Sequence, residues 1–102
     1  MKAPVLYLVV PCYNEQEVLD DTAHVLTEKL SALIACGSIS AHSRVVFVND
    51  GSRDGTWQRI TAWTENNKLC TGINLAHNEG HQNALLAGLM TVLPYADVTI
   101  SM

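Results

Sequence analysis

Arg44-Val45-Val46-Phe47-Val48-Asn49-Asp50-Gly51-Ser52-Arg53-Asp54-Gly55-Thr56 is the stretch that decides the fold. Val45 to Val48 is an unbroken apolar run, the pattern of a strand buried on both faces. Gly51 and Gly55 then break the chain. Asp54 is placed to cap a helix carrying Trp57, Ile60, Thr61, Trp63 and Thr64. Strand, turn and helix make one βα unit, and the unit recurs on either side. Upstream, Val5 to Val10 reads as a strand ended by Pro11. A helix over 15–34 follows, with a stripe of Val18, Thr22, Val25, Leu26, Leu30 and Leu33, acidic residues at its start and Gly37 as its C-cap. Residues 38–43 form a polar linker. Downstream come a strand over Cys70 to Leu75, a helix over 80–93 stopped by Pro94, and an apolar run, Val98 to Met102, that reads as a buried strand.

The order βαβαβαβ predicts an α/β fold: a Rossmann-like, mostly parallel sheet with right-handed crossovers and helices on both faces. Ligands of such sheets bind beyond the carboxyl ends of the strands. Three polar clusters fall at that edge: Pro11-Cys12-Tyr13-Asn14-Glu15, Asn49 to Thr56, and His77-Asn78-Glu79-Gly80-His81-Gln82. One alone would mean little; three on one edge favour a site.

Composition narrows the ligand. The chain has 102 residues, room for one domain, with 48% hydrophobic and 16% charged residues. Its net charge is −4, and its six Lys and Arg form no cluster, which speaks against nucleic acid or an anionic membrane as partner. An acidic chain that binds a nucleotide needs backbone amides, a metal or a few placed cations. Cys12, Cys36 and Cys70 form no CxxC pair and read as small buried hydrophobes in a reducing compartment. Met1-Lys2 leads straight into a strand without a signal-peptide pattern, and no run approaches the roughly 20 apolar residues of a membrane span. The expectation is a soluble segment at the cytosolic side, with any membrane association carried by sequence beyond Met102.

In the first cluster Tyr13 offers a flat face to a nucleobase, and Glu15 an acceptor for base or ribose hydroxyl groups. The same residues also read as a plain strand-end turn with a helix-start charge. In the second, Asp50 at the lip of the strand can accept from the imide N–H of uracil or from N1–H and the amino group of guanine; the alternative is a capped turn. An EF-hand reading of Asp50, Ser52, Asp54 and Gly55 fails, because Thr61 stands where the closing Glu is needed. In the third, His77 and His81 lack the H-E-x-x-H arrangement of a zinc site. Asn78 and Gly80 shape a turn there, and the helix N-terminus points its amides at the site. Trp57 and Trp63 are expected to pack on the second strand or a missing neighbour, and His24 and His42 to be solvated.

Together the three clusters resemble the family-2 glycosyltransferases of GT-A fold, and most of all the polyprenyl-phosphate group that includes dolichyl-phosphate mannose synthase and the undecaprenyl-phosphate glycosyltransferases. The family reads P-x-Y-N-E, V-D-D-G-S-x-D-G-T and N-x-G-H-x-x-A-L-x-A-G. Here those elements stand as Pro11 to Glu15, Val48 to Thr56 and Asn78 to Gly88, in order and over nearly the whole chain. The resemblance implies a nucleotide pocket lined by Pro11, Tyr13, Glu15, Val48 and Asp50, with Asp50 reading the base. It implies a hexosyl transfer from a nucleoside-diphosphate sugar, UDP-sugar before GDP-mannose, to a polyprenyl phosphate or a glycan. Asn49 departs from the usual first aspartate; it removes a charge but keeps an oxygen acceptor. The resemblance also implies that residues 1–102 are the N-terminal, nucleotide-binding half of the domain, truncated before an Asp-x-Asp motif that would hold Mg2+ or Mn2+. Such a fragment is expected to be inactive alone and to self-associate through an unpaired terminal strand. The competing reading is a non-catalytic nucleotide-binding or assembly module.

Overall fold

Strand and helix alternate along the chain: β1 (Leu6–Cys12), α1 (Leu19–Ala35), β2 (Arg44–Asp50), α2 (Thr56–Asn66), β3 (Cys70–Leu75), α3 (His81–Val92) and β4 (Val98–Ser101). The structure, a computed structural model, describes residues 2–102. Every pairing is parallel, and the sheet order is β3-β2-β1-β4. The chain steps outward from β1 to β3, then returns to pair β4 on the other side of β1. Right-handed crossovers require α1 and α2 on one face and α3 on the other.

The period of two along each strand distributes the core accordingly. Leu6, Leu8, Val10 and Cys12 of β1, with Val45 and Phe47 of β2, pack against Leu19, Ala23, Leu26 and Leu30 of α1 and Ile60 of α2. Val9, Val46 and Val48 face α3, which meets them with Ala84 and Val92. Gly88 lies between those two on the same helical face. A Cβ there would sit 2.5 Å from Val9 Cγ1 and 2.8 Å from Val48 Cγ2, so the helix rests on the sheet only because that side chain is missing.

Several local expectations shift. The first helix starts at Leu19, not at residue 15, and its buried stripe is Leu19, Ala23, Leu26, Thr27 and Leu30; Val18, Val25 and Leu33 are exposed. Its end is as expected. Gly37, at φ +80°, donates to the Ile34 carbonyl and Ser38 to that of Leu33, closing a Schellman motif. Cys36 is exposed rather than buried. Its thiol lies below the ordinary cysteine range through hydrogen bonding with Ser38, whereas burial pushes Cys12 up to about 12 and Cys70 to about 11. Trp57 packs over Gly72 of the third strand, and Trp63 donates its indole N–H to Asp20 of α1. His24 and His42 are exposed.

The fourth strand is an exposed edge, not a buried strand: Val98 and Ile100 are each nearly half accessible, because β4 pairs only with β1. Pro11 also acts differently from expectation. The Met102 amide donates to the Val9 carbonyl, so odd positions of β1 turn their amide groups toward β4. The next rung on that side would run from the amide of residue 11 to the Met102 carbonyl, and proline has no N–H. On the other side β1 continues, with Pro11 opposite Val48 and Cys12 opposite Asn49. Pro11 therefore ends one ladder rather than the strand.

Replacing Gly88 with Ala gains about 1 kcal/mol of helix propensity but drives a methyl into two stiff β-branched side chains. The collision wins, and chemical denaturation of Gly88→Ala is expected to show a net loss of about 1–2 kcal/mol.

Candidate functional site

A cleft of about 590 Å³ opens at the carboxyl edge beside β1, next to the point where the strand order reverses. Its walls come from the ends of β1 and β2, the loop after β3 and the first turn of α3. Pro11, Tyr13, Glu15 and Asp50 line it. Val48 does not reach it, being fully buried beneath α3, where it packs below Gly88.

The first two loops are sewn together. Asn14 adopts a left-handed backbone, φ +49°, which asparagine tolerates better than most residues. Its amide donates to Ser52 Oγ at 3.0 Å, and its Oδ1 accepts from the Arg53 amide at 2.8 Å. The Glu15 amide donates to Thr56 Oγ1 and the Gln16 amide to Asp54 Oδ2, while Gln16 Oε1 accepts from the Gly55 amide at 2.6 Å. The expected cap falls one residue later, on Gly55; Asp54, just before it, accepts from the Thr56 amide through Oδ1 while also holding the first loop. These bonds hold the Asp54 carboxyl below the ordinary range, Thr56 contributing most.

The second loop also grips the third. Asp50 is 3% exposed, and its Oδ1 accepts from the Glu79 amide at 2.7 Å. Its Oδ2 has no partner among the described residues. Since no buried side-chain oxygen there lacks one, Oδ2 is open to solvent in the cleft. Gly51 stands at φ +64°, and a Cβ on it would fall within 2.4 Å of the Asn78 nitrogen. Only glycine allows the two loops to lie this close.

The remaining wall is polar in part. Tyr13 is 43% exposed at the rim. Gly80, at φ +89°, opens α3 with no side-chain cap, so the first-turn amides stay free beside the cleft. His81 begins the helix and faces Glu15: burial pushes the Glu15 carboxyl up, and His81 draws it partly back. Among the described residues no three His, Cys, Asp or Glu side chains converge as a metal site would require. No helix among them is long and apolar enough to cross a membrane.

A model of glycosyl transferase family 2 matches residues 7–93, spanning β1 through α3. The chain belongs to that family. Similarity to curated proteins agrees. The chain is 49% identical over 98 residues to the uncharacterized glycosyltransferase YkoT of Bacillus subtilis, covering 96% of this chain and 29% of that protein. It is 35% identical over 86 residues to an undecaprenyl-phosphate 4-deoxy-4-formamido-L-arabinose transferase of Aeromonas hydrophila, covering 82% of this chain and 24% of the relative. The chain thus spans less than a third of the length of these relatives. Among solved structures, the mannosyltransferase PcManGT of Pyrobaculum calidifontis in complex with GDP-Man and Mn2+ superposes with a TM-score of 0.58 at 26% identity, covering 96% of this chain and 27% of that one. TarS of S. aureus superposes equally well at 24% identity, with 99% and 27% covered, which speaks for the fold.

In this family-2 domain the sequence reading missed three participants. His81 stood in the third motif and as a weak metal candidate, but not among the residues expected to line the pocket, and its place near Glu15 depends on how α3 docks. Thr22 and Met102 also line the cleft, without any motif that marks them.

Gly51→Ala combines left-handed strain with a backbone collision and is expected to lower stability by about 2 kcal/mol or more, read by thermal and chemical denaturation. Glu15 supplies a pH signature. A carboxyl raised in the folded state makes the fold bind protons more tightly than the unfolded chain. Stability therefore falls as pH rises from the ordinary glutamate range through the raised value. Glu15→Gln is expected to remove that falling limb from a plot of melting temperature against pH.

Proposed function

We propose that residues 1–102 are the nucleotide-sugar-binding part of a glycosyltransferase domain that moves a hexosyl group from a nucleoside-diphosphate sugar to a polyprenyl phosphate or a glycan. The observation that carries this reading is Asp50: a nearly buried carboxylate with one oxygen fixed by the Glu79 amide and the other open to a cleft at the strand-order switch. A fixed acceptor at that point suits a base-edge N–H. One open oxygen matches the single imide N–H of uracil better than the paired donors of guanine, so a UDP-sugar is favoured, with GDP-mannose second. Tyr13 at the rim offers its ring face to the base. The uncapped amides of α3 and the imidazole of His81 lie where they would attract a diphosphate.

The acceptor class is supported by the named activity of the Aeromonas relative. We place the Mg2+ or Mn2+ ion on an Asp-x-Asp motif following Met102, a reading supported by the Pyrobaculum neighbour, which is solved with Mn2+. Bound there, the ion would stabilise the departing diphosphate. This chain's own part is to bind and orient the nucleotide.

Calorimetric titration of the full-length protein is expected to show UDP binding, with GDP weaker. Asp50→Ala is expected to weaken UDP by at least about tenfold, the scale of a lost charged hydrogen bond. Equal affinity of Asp50→Ala and wild type for UDP would overturn the reading. Residues 1–102 alone are expected to transfer no sugar above a no-protein control, and to self-associate in light scattering through β4 and its exposed apolar neighbours Leu93 and Tyr95.

A further inference from the structure

Asn49 and Asn74 stand directly opposite each other in the β2–β3 register, beyond the reach of the cleft. Asn49 is 3% exposed. Its Nδ2 donates to Asn74 Oδ1 at 2.8 Å, and its Oδ1 accepts from the Ser52 amide at 3.3 Å. Ser52 Oγ in turn accepts from Asn14, whose own Oδ1 accepts from Arg53. A continuous hydrogen-bonded path thus runs from β3, through Asn49 and the turn after Asp50, to the residue between Tyr13 and Glu15.

We propose that Asn49 and Asn74 are positioning residues for nucleotide recognition, a neutral amide lock that fixes the Asp50–Ser52 turn and, through Ser52 and Asn14, the Tyr13–Glu15 rim. This rests on the function proposed above and adds two residues that touch no ligand. The chemistry explains the amide at position 49. An amide donates to Asn74 and accepts from Ser52 at once, so it ties β3 to the turn without placing a second negative charge beside Asp50, near where a diphosphate would lie.

The facing pair gives a test that separates positioning from bulk stability. In Asn49→Asp the Asn74 amide can turn round and donate; in Asn74→Asp the Asn49 amide already donates. Each single variant therefore retains a bond. Asn49→Asp/Asn74→Asp sets two carboxylates face to face, and these can rejoin only by sharing a proton. Amide hydrogen exchange at Ser52 and Asn14, and UDP affinity, are measured on the full-length protein at pH 8 and pH 5. Wild type is measured alongside, because Asp50, Asp54, Glu15 and His81 also surround these loops. The double variant is expected to exchange faster at both amides after correction for intrinsic rates and to lose about tenfold in UDP affinity at pH 8, more than the two singles combined, with both defects relieved at pH 5. Unchanged exchange in the double variant overturns the lock. Faster exchange with unchanged UDP affinity, or a loss equal at both pH values, overturns the positioning role. If wild type binds no UDP, the function proposed above fails, and the exchange measurement alone decides the lock.

Discussion

A left-handed asparagine between two loops is the constraint on which the cleft depends. Asn14 carries Tyr13 on one side and Glu15 on the other, so its backbone angle aims both. Held alone, that conformation would cost on the order of 1 kcal/mol. It persists because Ser52 and Arg53 take both ends of its hydrogen-bonding capacity, while Gln16, Asp54 and Thr56 close the seam further along. Neither loop has this shape by itself; each is the other's template.

Two close approaches of backbone complete the frame. Gly88 lets α3 settle on Val9 and Val48, and Gly51 lets the second loop lie against Asn78. Once both are in place, the Glu79 amide arrives at Asp50 and fixes one of its oxygens. The site is therefore preorganised before any nucleotide enters, which reduces the ordering cost of binding.

β1 and β2 were legible because Val5 to Val10 and Val45 to Val48 are apolar on both faces and unbroken by charged residues. The helix-end glycine was legible because its chemistry is local, whereas the cap of α2 falls on Gly55, one residue after Asp54. The start of α1 was not. Glu15 to Glu17 look helical in sequence, but the amides of Glu15 and Gln16 are taken by Thr56 and Asp54, some forty residues away. The buried stripe keeps Leu26 and Leu30 but takes Leu19, Ala23 and Thr27 in place of Val18, Thr22, Val25 and Leu33. Val48 belongs to the nucleotide motif in sequence, yet its side chain falls on the face that α3 covers. In the same way, Val98 and Ile100 have the composition of a buried strand, and only the sheet order reveals that among the described residues β4 has a partner on one side alone, β1. His81 stands in the third motif, yet it acquires its neighbour Glu15 only through the docking of α3.

Pro11 has a consequence for how the chain can travel. The sheet closes like a zip on both sides of β1, but on the β4 side the zip lacks a tooth where the proline stands. The Met102 amide still donates to the Val9 carbonyl, its own carbonyl meets no N–H at Pro11, and the residue borders the cleft. An absent proton on one ring nitrogen thus removes one rung beside the cleft.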